Sequence, residues 1–365
     1  MEQKIYTLPE YPQSVDMWQE LKREVRPIVV YGMGNGADKL FERLSQFNIT
    51  PAAVFASDGF VRGHSYRGYK VRSFSEIKEE YSDFVILLSF ATRRADVLEM
   101  LLEIDKNYDM YIPDMPVADT SEYFDKDFYN ANYSDILKAY NSLSDSESKN
   151  VFASVIRFKL TGKMHYLENC STDADGLNRM LPCEKIKSYI DVGAYTGDTL
   201  GQALKNMPNL SSATLIEPDA KTFKRLKKYT DTLTGKKFTL LNAAALDKVG
   251  TCQFSSSGNR NSTAFATASY ESYGTEIPSV TIDSLGLTPD YIKFDVEGGE
   301  LEALLGTHET VERCKPALLV SLYHRSRDIF FLINYLQEKY PFYTFRLCKI
   351  RCVPAWEIDL ILTLS

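Results

Sequence analysis

The chemistry most legible in this chain sits in one glycine turn and a set of carboxylates placed just beyond strand-like segments. Ser188-Tyr-Ile-Asp-Val-Gly-Ala-Tyr-Thr-Gly-Asp-Thr199 reads as a buried strand, a tight turn and a helix start. Ile190 and Val192 give the strand its β-branched character. Gly193 and Gly197 permit a backbone path, through Ala194, Tyr195 and Thr196, that brings main-chain N–H groups close to a ligand. Asp198 and Thr199 stand where the helix begins, beside its unsatisfied N–H groups and positive dipole end. The spacing Asp191-x-Gly193-x-x-x-Gly197 is not the Gly-x-Gly-x-x-Gly that holds a pyrophosphate. A shorter cofactor bearing a carboxylate, such as S-adenosylmethionine, suits this turn, with its carboxylate at the Thr199 helix start.

The neighbouring strands supply the remaining groups. In an open parallel sheet, ligands lie beyond the carboxyl ends of the strands at the point where their order reverses. Glu217 ends Ala213-Thr-Leu-Ile-Glu217, and an ionised carboxylate, being acceptor-only, can take both hydroxyls of a ribose. Asn242 or Ala243, read within a third strand, could meet an adenine edge or simply pack. Asp295 ends Asp290-Tyr-Ile-Lys-Phe-Asp295 and could face the amino group or sulfonium of the cofactor. Methyl transfer from a sulfonium depends mainly on in-line positioning, although a hydroxyl acceptor must still lose its proton. His324 is the first candidate base because its ordinary pKa lies near neutrality, and Asp295 is the second. Glu297 and Glu300 have two readings: with Asp295 around a magnesium ion that grips two acceptor oxygens, or as a loop-orienting acid and a first-turn acid. No metal is assigned. Tyr195 and Tyr323 could line an acceptor pocket, and Asn259, in the polar stretch before Thr263, could cover it.

These groups need elements to hold them. Residues 1–115 are expected to form a small Rossmann-like unit, since Pro27–Tyr31, Ala52–Asp58 and Asp83–Ser89 read as strands alternating with amphipathic helices. It carries Gly32-x-Gly34-x-x-Ala37 with Asp58 a little over twenty residues beyond Gly36, the pattern of a dinucleotide site. The other reading is a tight strand–helix turn with Asp58 opening the next loop. Residues 116–180 read as a helical connector, with Ser144-x-x-Glu147 as a capping box before Val151, Phe152, Val155 and Ile156. Residues 181–365 read as strands at 188–193, 213–217, 238–246, 290–295 and 317–323, shorter β segments at 251–255 and 279–283, a helix over 328–339, and two final strands at 343–348 and 357–364. The expected fold is therefore α/β, with two Rossmann-like domains, the second a seven-stranded class I methyltransferase sheet.

Composition excludes several classes. A net charge of −7 over 365 residues speaks against bulk binding to nucleic acid or an anionic membrane. The polar start Met1-Glu-Gln-Lys-Ile-Tyr6 has no signal-peptide core, and no apolar run reaches transmembrane length. Six cysteines without Cys-x-x-Cys pairs suggest reduced thiols in a cytoplasmic protein.

A family resemblance rests on three segments: Tyr189–Thr199, Pro278-Ser-Val-Thr-Ile-Asp-Ser284 and Tyr291-Ile-Lys-Phe-Asp-Val-Glu-Gly-Gly-Glu300. Residues 188–345 resemble the FkbM-type S-adenosylmethionine-dependent methyltransferases, and Ser321-Leu-Tyr-His-Arg325 looks like the form in bacterial members with an added N-terminal domain. The resemblance implies O-methylation of a sugar or other small hydroxylated metabolite, and the first unit resembles modules that hold a nucleotide or nucleotide-sugar. Two alternatives stay open: an NAD(P)-dependent oxidoreductase using Gly32, Gly34 and Asp58, and a non-catalytic nucleotide-binding assembly protein.

Overall fold

The computed structural model describes residues 4–61, 63–118, 122–255, 263–265 and 274–364. The first sheet holds β1 (Ile28–Tyr31), β2 (Ala53–Ala56), β3 (Ser65–Tyr66), β4 (Tyr69–Ser73), β5 (Val85–Leu88) and β6 (Asp109–Tyr111), in the order β3-β4-β2-β1-β5-β6. All pairings are parallel except that of β3 with β4. β1, β2 and β5 are buried at every position, as strands covered on both faces must be. Four helices accompany them: α1 (Met17–Arg23), α2 (Asn35–Gln46), α3 (Phe74–Glu80) and α4 (Ala95–Asn107). The order reverses between β1 and β5, which opens a crevice at their carboxyl ends. Met17, Trp18 and Leu21 of α1 are buried against this sheet.

Five helices follow: α5 (Lys126–Ala131), α6 (Tyr133–Ser142), α7 (Ser146–Thr161), α8 (Met164–Cys170) and α9 (Ala174–Met180). α7 is buried on nearly every face, so one continuous core runs from Val29 and Ile86 of the first sheet through Phe152 and Ile156 to Ile292 and Val320 of the last. The expected capping box at Ser144 is not what starts this helix. Asp145 caps it, accepting from Ser148 N–H at 2.7 Å, while the Ser144 hydroxyl accepts from Phe345 N–H at 2.9 Å. Asp145→Ala should therefore lower stability by about 1 kcal/mol in urea denaturation; a loss appearing only on Ser144→Ala would show the cap misplaced.

The second large sheet contains β7 (Ser188–Val192), β8 (Ser212–Ile216) and β9 (Lys237–Leu241). The strand read over 238–246 breaks after Leu241, and β10 (Ala244–Ala245) joins a separate four-stranded sheet with β11 (Gly250–Ser255), β12 (Thr263–Phe265) and β13 (Thr275–Val280). The segment read over 279–283 likewise ends at Val280, where Thr281 leads into a short turn of helix at Asp283. β14 (Tyr291–Phe294), β15 (Ala317–Ser321), β16 (Tyr343–Lys349) and β17 (Ile358–Leu364) complete the large sheet, ordered β16-β17-β15-β14-β7-β8-β9. Its helices are α10 (Asp198–Asn206), α11 (Ala220–Thr230), α12 (Glu300–Leu305), α13 (His308–Cys314) and α14 (Asp328–Lys339). Five parallel strands closed by an antiparallel final pair make the class I methyltransferase sheet. The free edge of β16 is protected, since Ser144 and Ser148 hydroxyls accept from Phe345 and Leu347 N–H at 2.9 Å each.

Candidate active site

The strand order of the second sheet reverses between β7 and β14, and a cavity of about 100 Å³ lies at their carboxyl ends. Gly193 makes the turn there with φ 87°, and a Cβ at this position would stand 1.8 Å from the Asp295 carbonyl oxygen, so no other residue fits the close approach of the two strands. Tyr195 follows with φ 47°, a left-handed conformation rare outside glycine. That twist turns its N–H onto Glu217 Oε2 at 2.9 Å, while Glu217 Oε1 accepts from Asp219 N–H at 2.8 Å. The side chain lines the cavity, and each oxygen, with one N–H bound, can accept a further donor.

Of the residues expected at a cofactor, Gly193, Tyr195, Thr199, Glu217 and Asp295 line this cavity, as do Glu297 and Tyr323 from the acceptor set. Asp191, Ala194, Thr196, Gly197 and Asn242 are not among its lining residues. Asp191 is fully buried and stands 3.4 Å from Lys293 Nζ, its neighbour across the β7–β14 register. Ala194 packs in the core, and Gly197 leaves room for the Tyr229 ring, 2.5 Å from where a Cβ would be. Asn242 lies just past β9, where its amide donates to the Glu217 and Pro218 carbonyls at 2.8 and 2.9 Å and so fixes the end of β8. Asn259 lies outside the described residues.

Burial pushes the Glu217 carboxyl up to about 7; the Asp219 and Tyr195 N–H groups oppose this, and the Asp219 and Asp191 charges add to it. Hydroxyl donors favour the ionised form, so a proton competes with a ribose at this group. Affinity for an adenosyl ligand should be full above about pH 7 and fall below it, approaching tenfold per unit on the acid side. Titration calorimetry with S-adenosylhomocysteine between about pH 6 and pH 8 reads this directly; a flat profile would exclude Glu217 as the contact.

Lys293 is central to the site, and its role was not read from the sequence. Its Nζ lies 3.4 Å from Asp191 Oδ1 and 3.3 Å from Asp295 Oδ2. Despite burial, Lys293 and His324 hold the Asp295 carboxyl down at about 2, so it stays ionised, and Tyr323 donates to it at 3.2 Å. Arg93 was missed altogether, because it belongs to the first sheet's crevice loop. Thr92 and Val353 exchange backbone hydrogen bonds of 2.9 and 3.1 Å, which carries Arg93 across to pair with Glu357 and line the methyltransferase cavity.

The surroundings of His324 argue against a role as the base. It is completely buried, with Nδ1 2.9 Å from Glu300 Oε1 and Nε2 3.4 Å from Asp295 Oδ1 and 3.6 Å from Glu297 Oε2. Burial works against its charge, yet the Glu300, Glu297 and Asp295 carboxylates together raise its pKa to about 10. A ring held that strongly does not take a proton from a hydroxyl near neutral pH.

The glycine turn of the first sheet is a strand–helix turn as read, with Gly32 at φ 113° and Gly34 at φ 102° before α2. Asp58 does not face it. The Asp58 carboxylate accepts from Phe74 N–H and the Ser75 hydroxyl, both at 2.8 Å, and so adds to the Ser73–Glu76 capping box at the start of α3. It lines a different cavity from the one beside Asn35, Gly36 and Lys39. Asp58 and the start of α2 thus line separate cavities.

All six cysteines are free, and among the described residues no helix is long and apolar enough to cross a membrane. Residues 191–346 match the family model described as Methyltransferase FkbM domain. In fold, the chain is similar to the methyltransferase FkbM from Methylobacillus flagellatus KT, with a TM-score of 0.69, 19% identity, and coverage of 98% of this chain and 94% of that one. The precorrin-6y C5,15-methyltransferase from Geobacter metallireducens GS-15 matches at a TM-score of 0.35 and 12% identity, over 52% of this chain and 87% of that one. No curated protein matches the chain. The sheet order, the glycine turn at the switch point and the matched family model together make residues 191–346 an FkbM-type methyltransferase domain.

Proposed function

We propose that the protein is an S-adenosylmethionine-dependent O-methyltransferase acting on a sugar or another small hydroxylated compound. The observation that carries the donor half is the Glu217 carboxylate. Two backbone N–H groups position it, each of its oxygens can accept a further hydrogen bond, and it lines a crevice that a glycine turn shapes. S-adenosylmethionine would lay its ribose on Glu217, its methionyl carboxylate at the Asp198 and Thr199 helix start, and its sulfonium toward Asp295.

The acceptor half rests on what faces that point. Asp295, Glu297 and Tyr323 line the cavity, and the two carboxylates accept hydrogen bonds without donating any. Such acceptors favour a partner rich in hydroxyl donors. With His324 enclosed, Asp295 is left as the group to receive the hydroxyl proton. Its low pKa makes it a weak base, so most of the rate enhancement would come from alignment of donor and acceptor.

The proposal is tested by incubating the protein with labelled S-adenosylmethionine and a panel of sugars and nucleotide-sugars. Label appearing as a methyl ether supports it. Label appearing only on nitrogen or carbon nucleophiles would refute the O-methyl assignment.

A further inference from the structure

His324 presents an unresolved problem of partnership. The side chain is completely buried, and neither Nδ1 nor Nε2 has an aligned hydrogen-bond partner, although carboxylates crowd both. The two sides of the ring differ. On the Nδ1 side, Glu300 Oε1 stands 2.9 Å away and also accepts from Val296 N–H at 2.9 Å, so this carboxylate, itself only 1% exposed, is fixed in place. On the Nε2 side, Asp295 Oδ1 and Glu297 Oε2 stand at 3.4 and 3.6 Å, and both of these side chains reach the cavity.

Those separations have a meaning for coordination. Ligand atoms about 2.1 Å from one ion and roughly 90–110° apart stand about 3.0–3.4 Å from each other. Nε2 stands near that spacing from Asp295 Oδ1 and from Glu297 Oε2, and among the described residues Asp295, Glu300 and His324 present ligand atoms within 4.8 Å of one another; Glu297 lies outside that group, so its carboxylate must turn toward Asp295 to share an ion. A carboxylate on the far nitrogen of a ligating histidine is also the usual device for fixing its tautomer and orientation. The charges agree. Asp295, Glu297 and Glu300 crowd the imidazole with three carboxylates, and the facing Lys293 is shared with Asp191, so a divalent ion that displaces the imidazole proton would offset excess negative charge.

We propose that His324 Nε2, Asp295 and Glu297 bind a divalent cation of the magnesium or manganese class, with Glu300 orienting the imidazole. The assignment differs from a purely carboxylate set, because it places the histidine on the ion and Glu300 behind it. One nitrogen and two carboxylates leave coordination positions open toward the crevice. The ligand class that fills them is a pair of adjacent oxygens, as in a vicinal diol; this use of the ion rests on the methyltransferase reading above, whereas ion binding does not.

The test uses Mn²⁺ alone on the full chain, with free Mn²⁺ followed by electron paramagnetic resonance. One saturable ion per chain is expected. His324→Gln and Glu297→Gln should each weaken binding at least about tenfold, and Glu300→Gln by about tenfold through the imidazole. Circular dichroism establishes that each variant is folded, and Mn²⁺ should also raise the unfolding temperature of the unaltered chain. Absence of saturable uptake by a chain that binds S-adenosylhomocysteine would overturn the cation site while leaving the methyltransferase reading intact. Uptake unchanged in both His324→Gln and Glu297→Gln would overturn it equally. Uptake lost in those variants, by a chain indifferent to S-adenosylhomocysteine, would uphold the site and sink the function.

Discussion

Glu217→Ala is expected to weaken S-adenosylhomocysteine binding at least about a hundredfold, because hydrogen bonds to a charged acceptor contribute about 1.5–3 kcal/mol each and two ribose hydroxyls would lose theirs. The substitution also leaves Tyr195 N–H and Asp219 N–H without their acceptor, so the turn that faces the ligand loosens at the same time. Glu217→Gln separates the two effects. Its amide oxygen can still accept one backbone N–H, but the charge is gone and an N–H group now faces one hydroxyl, so a loss intermediate between the two is expected. The readout is calorimetric affinity, with circular dichroism as the check that the fold survives. An alanine variant that binds as tightly as the parent would remove Glu217 from the cofactor site.

The largest effect on stability should come from Gly193→Ala. The methyl group would have to stand 1.8 Å from the Asp295 carbonyl oxygen, on a residue whose φ is 87°. Left-handed backbone costs a non-glycine residue about 1–2 kcal/mol, and the overlap with backbone of a central strand adds about 1–3 kcal/mol more as β7 and β14 are pushed apart. Urea denaturation should therefore show a loss of about 3 kcal/mol, together with loss of adenosyl binding. Gly235→Ala is the internal comparison. Gly235 has φ 76° and nothing within 4 Å of its added Cβ, so only the backbone cost of about 1–2 kcal/mol applies. Equal losses in the two variants would show that the strand contact at Gly193 is not what selects glycine.

Much of this architecture could be read from the residues alone, and the reasons are local. The helix over 328–339 matches α14 to the residue, because its buried positions Ile329, Phe330, Leu332, Ile333 and Leu336 recur at helical spacing. The turn from Asp191 to Thr199 was equally plain, since glycines at positive φ and a following helix start are encoded within a dozen residues. Failures came where a residue's partner is distant in sequence. Ser144 has the right spacing for a capping box, yet its hydroxyl is taken by β16, and Asp145 next to it does the capping. Asp58 lies where a dinucleotide acid would, but the start of α3 captures it.

The site shows the same division. Glu217 and Asp295 could be placed from strand ends, whereas the surroundings of His324 could not. Its neutral-range ordinary pKa suggested a base, and only the folded arrangement of Glu300, Glu297 and Asp295 around a wholly buried ring reverses that reading. Arg93 had no local signal at all. It reaches the cavity because Thr92 pairs with Val353, a contact between chain segments roughly 260 residues apart that no spacing rule anticipates. Lys293 was visible within the Lys-x-Asp-x-Glu segment, but its work of bridging Asp191 and Asp295 follows from the β7–β14 register.

A crystal structure of the protein grown with S-adenosylhomocysteine tests the central claim most directly. The account predicts the ribose hydroxyls on Glu217, the amino-acid carboxylate at the Asp198 and Thr199 helix start, and the sulfur facing Asp295. The same ligand found elsewhere, or a crevice that stays closed to it at saturating concentration, would contradict the account.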